Sequence, residues 1–173
     1  MATIRRILAG RQAKKNGERA EDLMHREALR DGWTVIKLPM GAKMLSRNKM
    51  IRVRTDFDFV FVKAEKVVFT DSKTTKLNSF TYSMITDHQV NKLKELEGHG
   101  HKAGYIVIFS SLKKIVFFGG TQLWCLRRGE SLKPSDGILL GNTMCFRLNR
   151  LFGLPEDTRV LYSGPVPSSE VGA

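Results

Sequence analysis

Asp71-Ser72-Lys73 puts a carboxylate and an ammonium on one side of an extended chain, because successive strand side chains point to opposite faces. Asp56 and Asp58 stand upstream with the same two-residue spacing. The stretch holding all four, TDFDFVFVKAEKVVFTDSK, is two Val- and Phe-rich runs broken by Lys63-Ala64-Glu65-Lys66, and such runs favour strands. In the first run Phe57, Phe59 and Phe61 fall on one face, and Asp56 and Asp58 on the other. In the second, Val67, Phe69, Asp71 and Lys73 share a face. Paired as a hairpin, the runs bring three carboxylates and a lysine to one patch. Carboxylates so placed resist ionising together. A hard divalent cation such as Mg²⁺ relieves the repulsion while keeping several waters. A lysine beside it can orient or deprotonate a metal-activated water, or stabilise developing negative charge. An isolated D-x-K is most often an ordinary charged strand face, so its surroundings decide.

Those surroundings are basic. The 173 residues carry 29 Lys and Arg against 17 Asp and Glu, a net charge of +12. Such an excess attracts polyanions through counterion release, and nucleic acid is the default partner. At 42% hydrophobic and 27% charged, the chain reads as one soluble globular domain with a real core. No apolar run is long enough to span a bilayer, and the basic N-terminus lacks a sustained apolar segment, so neither a membrane nor a signal peptide is expected. Cys125 and Cys145 lack metal-ligand spacing and read as buried thiols in a reducing, cytoplasmic setting. No motif calls for a nucleotide cofactor.

The elements that position the acidic patch follow from local pattern. Residues 1–15 read as a basic arm or short helix. Asn16 reads as the N-cap of a helix running to about Arg30, with Ala20, Leu23, Met24 and Ala28 as its apolar stripe and Glu21 on the stripe's border. Trp33–Leu38 reads as a strand ended by Pro39 and Gly41. The run that follows carries Lys43, Arg47, Lys49, Arg52 and Arg54 and no acid; as a loop or hairpin extension beside an acidic cluster, it suits clamping a phosphate backbone. A helix is predicted over 84–97, with Gln89 interrupting the stripe of Ile85, Leu93 and Leu96. A polar group there needs a partner. Ala103–Phe109 reads as a buried central strand and Lys114–Phe118 as another. Residues 127–160 read as an irregular appendage packed on a core spanning 16–126, and 161–173 as a disordered tail.

Asn16-Gly17 with Glu21, then Thr55-Asp56-Phe57-Asp58, then Phe69-Thr70-Asp71-Ser72-Lys73-Thr74, then His88-Gln89-Val90, then AGYIVIF and KKIVFF, resemble in order and spacing the PD-(D/E)xK nuclease superfamily. Within it the pattern is similar to Holliday junction resolvases of the RecU type, with archaeal-type resolvases a close second. The resemblance covers roughly residues 16 to 125. It implies a mixed α/β fold with an αβββαβ restriction-endonuclease-like core. It implies a homodimeric endonuclease that resolves four-way junctions in double-stranded DNA using Mg²⁺ or Mn²⁺. Asp56 and Asp71 would be metal ligands, with Asp58 a second candidate for the first position. Lys73 would act on the attacking water, Glu21 would complete or support the metal site from the helix, and Gln89 and Thr55 match polar residues that accompany these motifs. The acid of the last motif is Asp71 rather than the commoner Glu, and the basic run at 43–54 is shorter than the RecU-type stalk. The alternatives are a nuclease of the same core acting on linear, flapped or damaged DNA, and a non-catalytic DNA-binding module.

Overall fold

The computed structural model describes residues 2–38, 41–46, 49–53 and 56–154, and the side chains of 15, 17–38 and 56–154. In chain order the elements are α1 (Ala2–Arg30), β1 (Thr34–Lys37), β2 (Gly41–Ser46), β3 (Lys49–Val53), β4 (Phe59–Lys63), β5 (Lys66–Thr75), β6 (Phe80–Thr81), α2 (Asp87–Gly98), β7 (Lys102–Phe109), β8 (Lys114–Gly119), α3 (Gly120–Cys125), β9 (Ser131–Leu132), β10 (Ile138–Asn142) and β11 (Cys145–Phe146). Seven strands form one mixed sheet in the order β1-β4-β5-β7-β8-β10-β11. With the separate β2–β3 hairpin and the short β6 set aside, α1-β1-β4-β5-α2-β7 is the expected αβββαβ core. β5 and β7 are parallel, and α2 lies in the crossover that a parallel pair requires.

Each helix covers one face. Met24 and Ala28 of α1 are buried with Phe59, Phe61, Val68, Ile106 and Ile108. Val90 and Leu93 of α2 are buried with Phe80, Ala103, Tyr105, Val107 and Phe109. The continuous apolar pattern of β7 follows, because its alternate residues feed both clusters. Gly120 lets α3 lie against α2: a Cβ there would meet the Leu93 carbonyl carbon at 2.6 Å.

Several expectations need correction. The first helix starts at Ala2 rather than at Asn16. Residues 2–15 are rich in Ala, Leu, Arg, Lys and Gln and lack proline, so nothing forces a break before Asn16. The two Phe-rich runs pair as an antiparallel hairpin, but the alternation fails at Phe57. Phe59 and Phe61 stack at 5.8 Å inside the α1-side cluster, whereas Phe57 packs edge-on against Phe69, which belongs to the α2 side. β4 begins only at Phe59, so strand periodicity does not bind residue 57. Residues 127–154 are no appendage: β10 pairs antiparallel with β8 and β11 with β10, extending the central sheet. Leu140, Phe146, Leu148 and Leu151 complete the α1-side core. Cys125 is exposed rather than buried. The tail predicted over 161–173 lies outside the described residues.

Two polar links tie the C-terminal segment to α1 and the turn that follows it. The Trp33 indole N–H donates to Asn149 Oδ1 at 3.0 Å in a buried site, and Trp33 stacks on Phe152. Arg147 reaches buried Glu27 at 3.1 Å and Asp31 at 3.6 Å. Replacing Trp33 by Phe leaves a buried carbonyl unpaired, so Trp33→Phe is expected to cost about 1–3 kcal/mol, read as a lower urea midpoint; an unchanged midpoint would detach 145–152 from the core. The hairpin turn is a second test. Ala64 sits at φ 50, in the left-handed region that disfavours a Cβ. Ala64→Gly is therefore expected to stabilise the fold by about 1 kcal/mol, read as a higher urea midpoint.

Candidate active site

Asp58 lies beside Asp71 where the β4–β5 ladder ends. The last paired residues are Phe59 and Thr70. Just before them Asp58 N–H donates to Thr70 O at 2.9 Å, one residue out of that register, so Asp58 sits in a bulge opposite Thr70, and Leu38 N–H donates to Asp58 O at 2.9 Å. The bulge leaves the Asp58 carboxyl within interacting range of Asp71. The Asp58 carboxylate is pinned there, with Oδ2 accepting from Ser72 N–H at 2.9 Å and Ser72 Oγ–H at 3.2 Å.

Asp71 is buried and surrounded by polar groups. Its Oδ1 accepts from Gln89 Nε2 at 2.8 Å, across from α2. Its Oδ2 has no well-directed hydrogen bond and is met instead by the Lys73 ammonium as an ion pair. That ammonium lies 5.2 Å from the centroid of the Tyr105 ring. Burial pushes the Asp71 carboxyl up to about 7; Lys73 opposes the shift and the neighbouring Asp58 charge adds to it. Burial likewise raises the Tyr105 phenol, which stays a protonated donor.

The other predicted residues go elsewhere. Asp56, expected as the principal partner of Asp71, instead pairs with His88 Nε2 at 2.6 Å. Asp58 takes the place beside Asp71, because its carboxylate accepts from Ser72, the residue after Asp71, whereas Asp56 is held by His88. Glu21 does not join the group. Its Oε2 accepts from Lys37 Nζ at 2.7 Å, and Lys37 lies over Phe59 on the α1 side. A nearby opposite charge captures the glutamate before it can reach the acidic pair. Lys37 also feels Asp58, and its ammonium pKa is raised chiefly by the Glu21 hydrogen bond. Of the predicted DNA contacts, Lys43 lies on β2 and Lys49 and Arg52 on β3, with Lys43 opposite Ile51. Arg47, Arg54 and Thr55 lie outside the described residues.

Sequence reasoning missed Ser72, Tyr105 and Lys37. Ser72 stood inside the D-x-K motif. Tyr105 carried a signal too, as the one hydroxyl in the buried run AGYIVIF. Lys37 had none, since its role depends on β1–β4 register.

Among the described residues no three of His, Cys, Asp and Glu converge on one point. The donor set is a pair, Asp58 and Asp71. It fits a hard divalent cation that keeps most of its water: two carboxylates act on each other, and one buried oxygen lacks a well-directed hydrogen bond.

In comparison with solved structures, the chain is similar to Hjc, a Holliday junction resolvase from Archaeoglobus fulgidus, with 18% identity and a TM-score of 0.47 over 68% of this chain and 86% of that one. No family model and no curated protein matches the chain.

The raised Asp71 pKa has a stability consequence with a definite sign. The folded state binds this proton more tightly than the unfolded chain does. The contribution is complete below the unfolded value of 3.8 and is lost as pH rises through about 7. Asp71→Asn mimics the protonated acid and cannot titrate. The metal-free wild-type protein is therefore expected to lose stability relative to Asp71→Asn between those two pH values, by at most about 1.4 kcal/mol for each pH step of one. Urea midpoints across pH measure it, and a constant difference between the two proteins would return Asp71 to the ordinary carboxylate range.

Proposed function

We propose that the protein is a metal-dependent, structure-selective DNA endonuclease that resolves four-way junctions. The observation that carries the reading is the Asp58–Asp71 pair at one end of the sheet, with Lys73 against the buried carboxylate. Asp58 and Asp71 would hold Mg²⁺ or Mn²⁺, which when bound supplies an activated water and positive charge for the leaving oxygen.

The chain's own groups do the rest. Gln89 anchors one Asp71 oxygen and leaves the other, buried, to the Lys73 ammonium. Ser72 fixes Asp58 from the strand that also carries Asp71 and Lys73, so the three groups move as one unit. Lys73, partly exposed and beside Asp71 Oδ2, is placed to hold the attacking water or the phosphate. The net charge of +12 and the basic run at 43–54 supply the field and the contacts that hold a DNA backbone. The four-way substrate and the homodimer rest on the motif order shared with junction resolvases. Two sites related by a two-fold axis suit paired cuts in a four-way branch.

Cleavage of a four-way junction, a flap, a nicked duplex and a linear duplex in one assay tests the reading. Mg²⁺-dependent nicking of the junction above the others is expected, with sedimentation as a dimer. Lys73→Ala is expected to lower cleavage by roughly 10²–10⁴-fold, and Asp58→Ala and Asp71→Ala to abolish it, while metal-free DNA binding survives. Asp56→Ala is expected to keep most activity, because Asp56 is engaged by His88. Cleavage that withstands Asp71→Ala and Lys73→Ala would sink the site. Equal cleavage of linear duplex would point to another nuclease of the same core, and binding without metal-dependent cleavage to a DNA-binding module.

A further inference from the structure

Tyr105 has a polar group where the fold needs only a ring. It lies fully buried on β7, opposite Asp71 in the parallel β5–β7 pairing, with its ring edge-on to Phe80 at 5.9 Å. Phenylalanine would meet that packing. The hydroxyl, being buried, must be satisfied, and it has two partners. Thr86 N–H lies 3.4 Å away, just before α2, and Gln89 Oε1 lies 3.2 Å away on its first turn.

The first partner sets the direction of the second bond. A backbone N–H can only donate, so the Tyr105 oxygen accepts from Thr86 and its own hydrogen must point to Gln89. Gln89 then presents its oxygen to Tyr105 and its nitrogen to Asp71. A glutamine amide is nearly symmetric in shape, and nothing in its own packing distinguishes the two ends. Turned over, it would set a carbonyl oxygen against the Asp71 carboxylate. The ionised Asp71 carboxylate asks for a donor in any case, and when Asp71 is protonated the phenol, oriented from the start of α2, still fixes which end of Gln89 faces it.

We propose that Tyr105 is a positioning residue of the site: its hydroxyl holds the Gln89 amide in the one orientation that donates to Asp71. Its effect on cleavage rests on the nuclease reading above; its effect on Gln89 does not. Outer-shell partners of this kind typically matter by about 10–100-fold.

Tyr105→Phe isolates the hydroxyl, because the ring that packs on Phe80 and lies under the Lys73 ammonium is kept. Two readouts on the full chain test it, with Asp71→Ala as control. In the metal-free protein, the Gln89 side-chain NH₂ resonances should be protected from exchange and displaced from those of exposed glutamines, and both features should be lost in Tyr105→Phe. In Mg²⁺-dependent junction cleavage, kcat should fall about 10–100-fold with KM for DNA within about twofold. A Tyr105→Phe protein that keeps the Gln89 signature overturns the inference, as does one whose kcat stays at the wild-type value while Asp71→Ala is inactive. If Asp71→Ala cleaves normally, the nuclease reading fails, and the Gln89 resonances alone decide the role of Tyr105.

Discussion

A carboxylate buried beneath a helix is the constraint that orders this protein's polar interior. Asp71 is 1% exposed, and leaving such a group charged without partners costs several kcal/mol. Each neighbouring polar group answers that cost in a different way. Lys73 supplies a counter-charge, Gln89 a neutral donor, and the raised pKa a route to neutrality. Asp58 works in the opposite direction by adding a like charge. The arrangement is costly, and the raised Asp71 pKa records that cost.

The frame that imposes this constraint is the division of the sheet into two faces. α1 seals one with Met24 and Ala28, and α2 seals the other with Val90 and Leu93. The α2 face carries the polar group because the first turn of α2 brings Gln89 to Asp71, and because Tyr105 lies beside Asp71 on the neighbouring strand β7. The C-terminal segment closes the α1 side through Trp33–Asn149 and Arg147–Glu27.

The acidic residues nearest the pair show how a close counter-charge divides like groups between roles. Glu21 is captured by Lys37, and Asp56 by His88. Neither is free to join Asp58 and Asp71, so the convergence of carboxylates is a pair and not a larger set. Lys37 stands between the two groups, bonded to Glu21 and within the field of Asp58. The basic side chains therefore act at short range, where they sort the acids.

Much of this was legible in the residues alone. The alternation of Phe59, Phe61 and the Asp71-Ser72-Lys73 spacing determined a hairpin with an acidic face, because side-chain direction in a strand is set by the backbone. The unbroken run of β7 determined a central strand, and Gln89 in an apolar stripe announced a buried partner. Three things were decided only by the tertiary structure. That Asp58 and not Asp56 lies beside Asp71 depended on the bulge at Asp58 and on contacts across elements, with Ser72 holding one acid and His88 the other. The capture of Glu21 depended on Lys37, a residue from another element whose position follows from the β1–β4 pairing. The role of the Tyr105 hydroxyl depended on Thr86, Gln89 and Asp71 meeting around it from three separate segments. Local pattern dictates which face a side chain takes; which charges become neighbours across elements is set by register and packing, and those exist only in the folded chain.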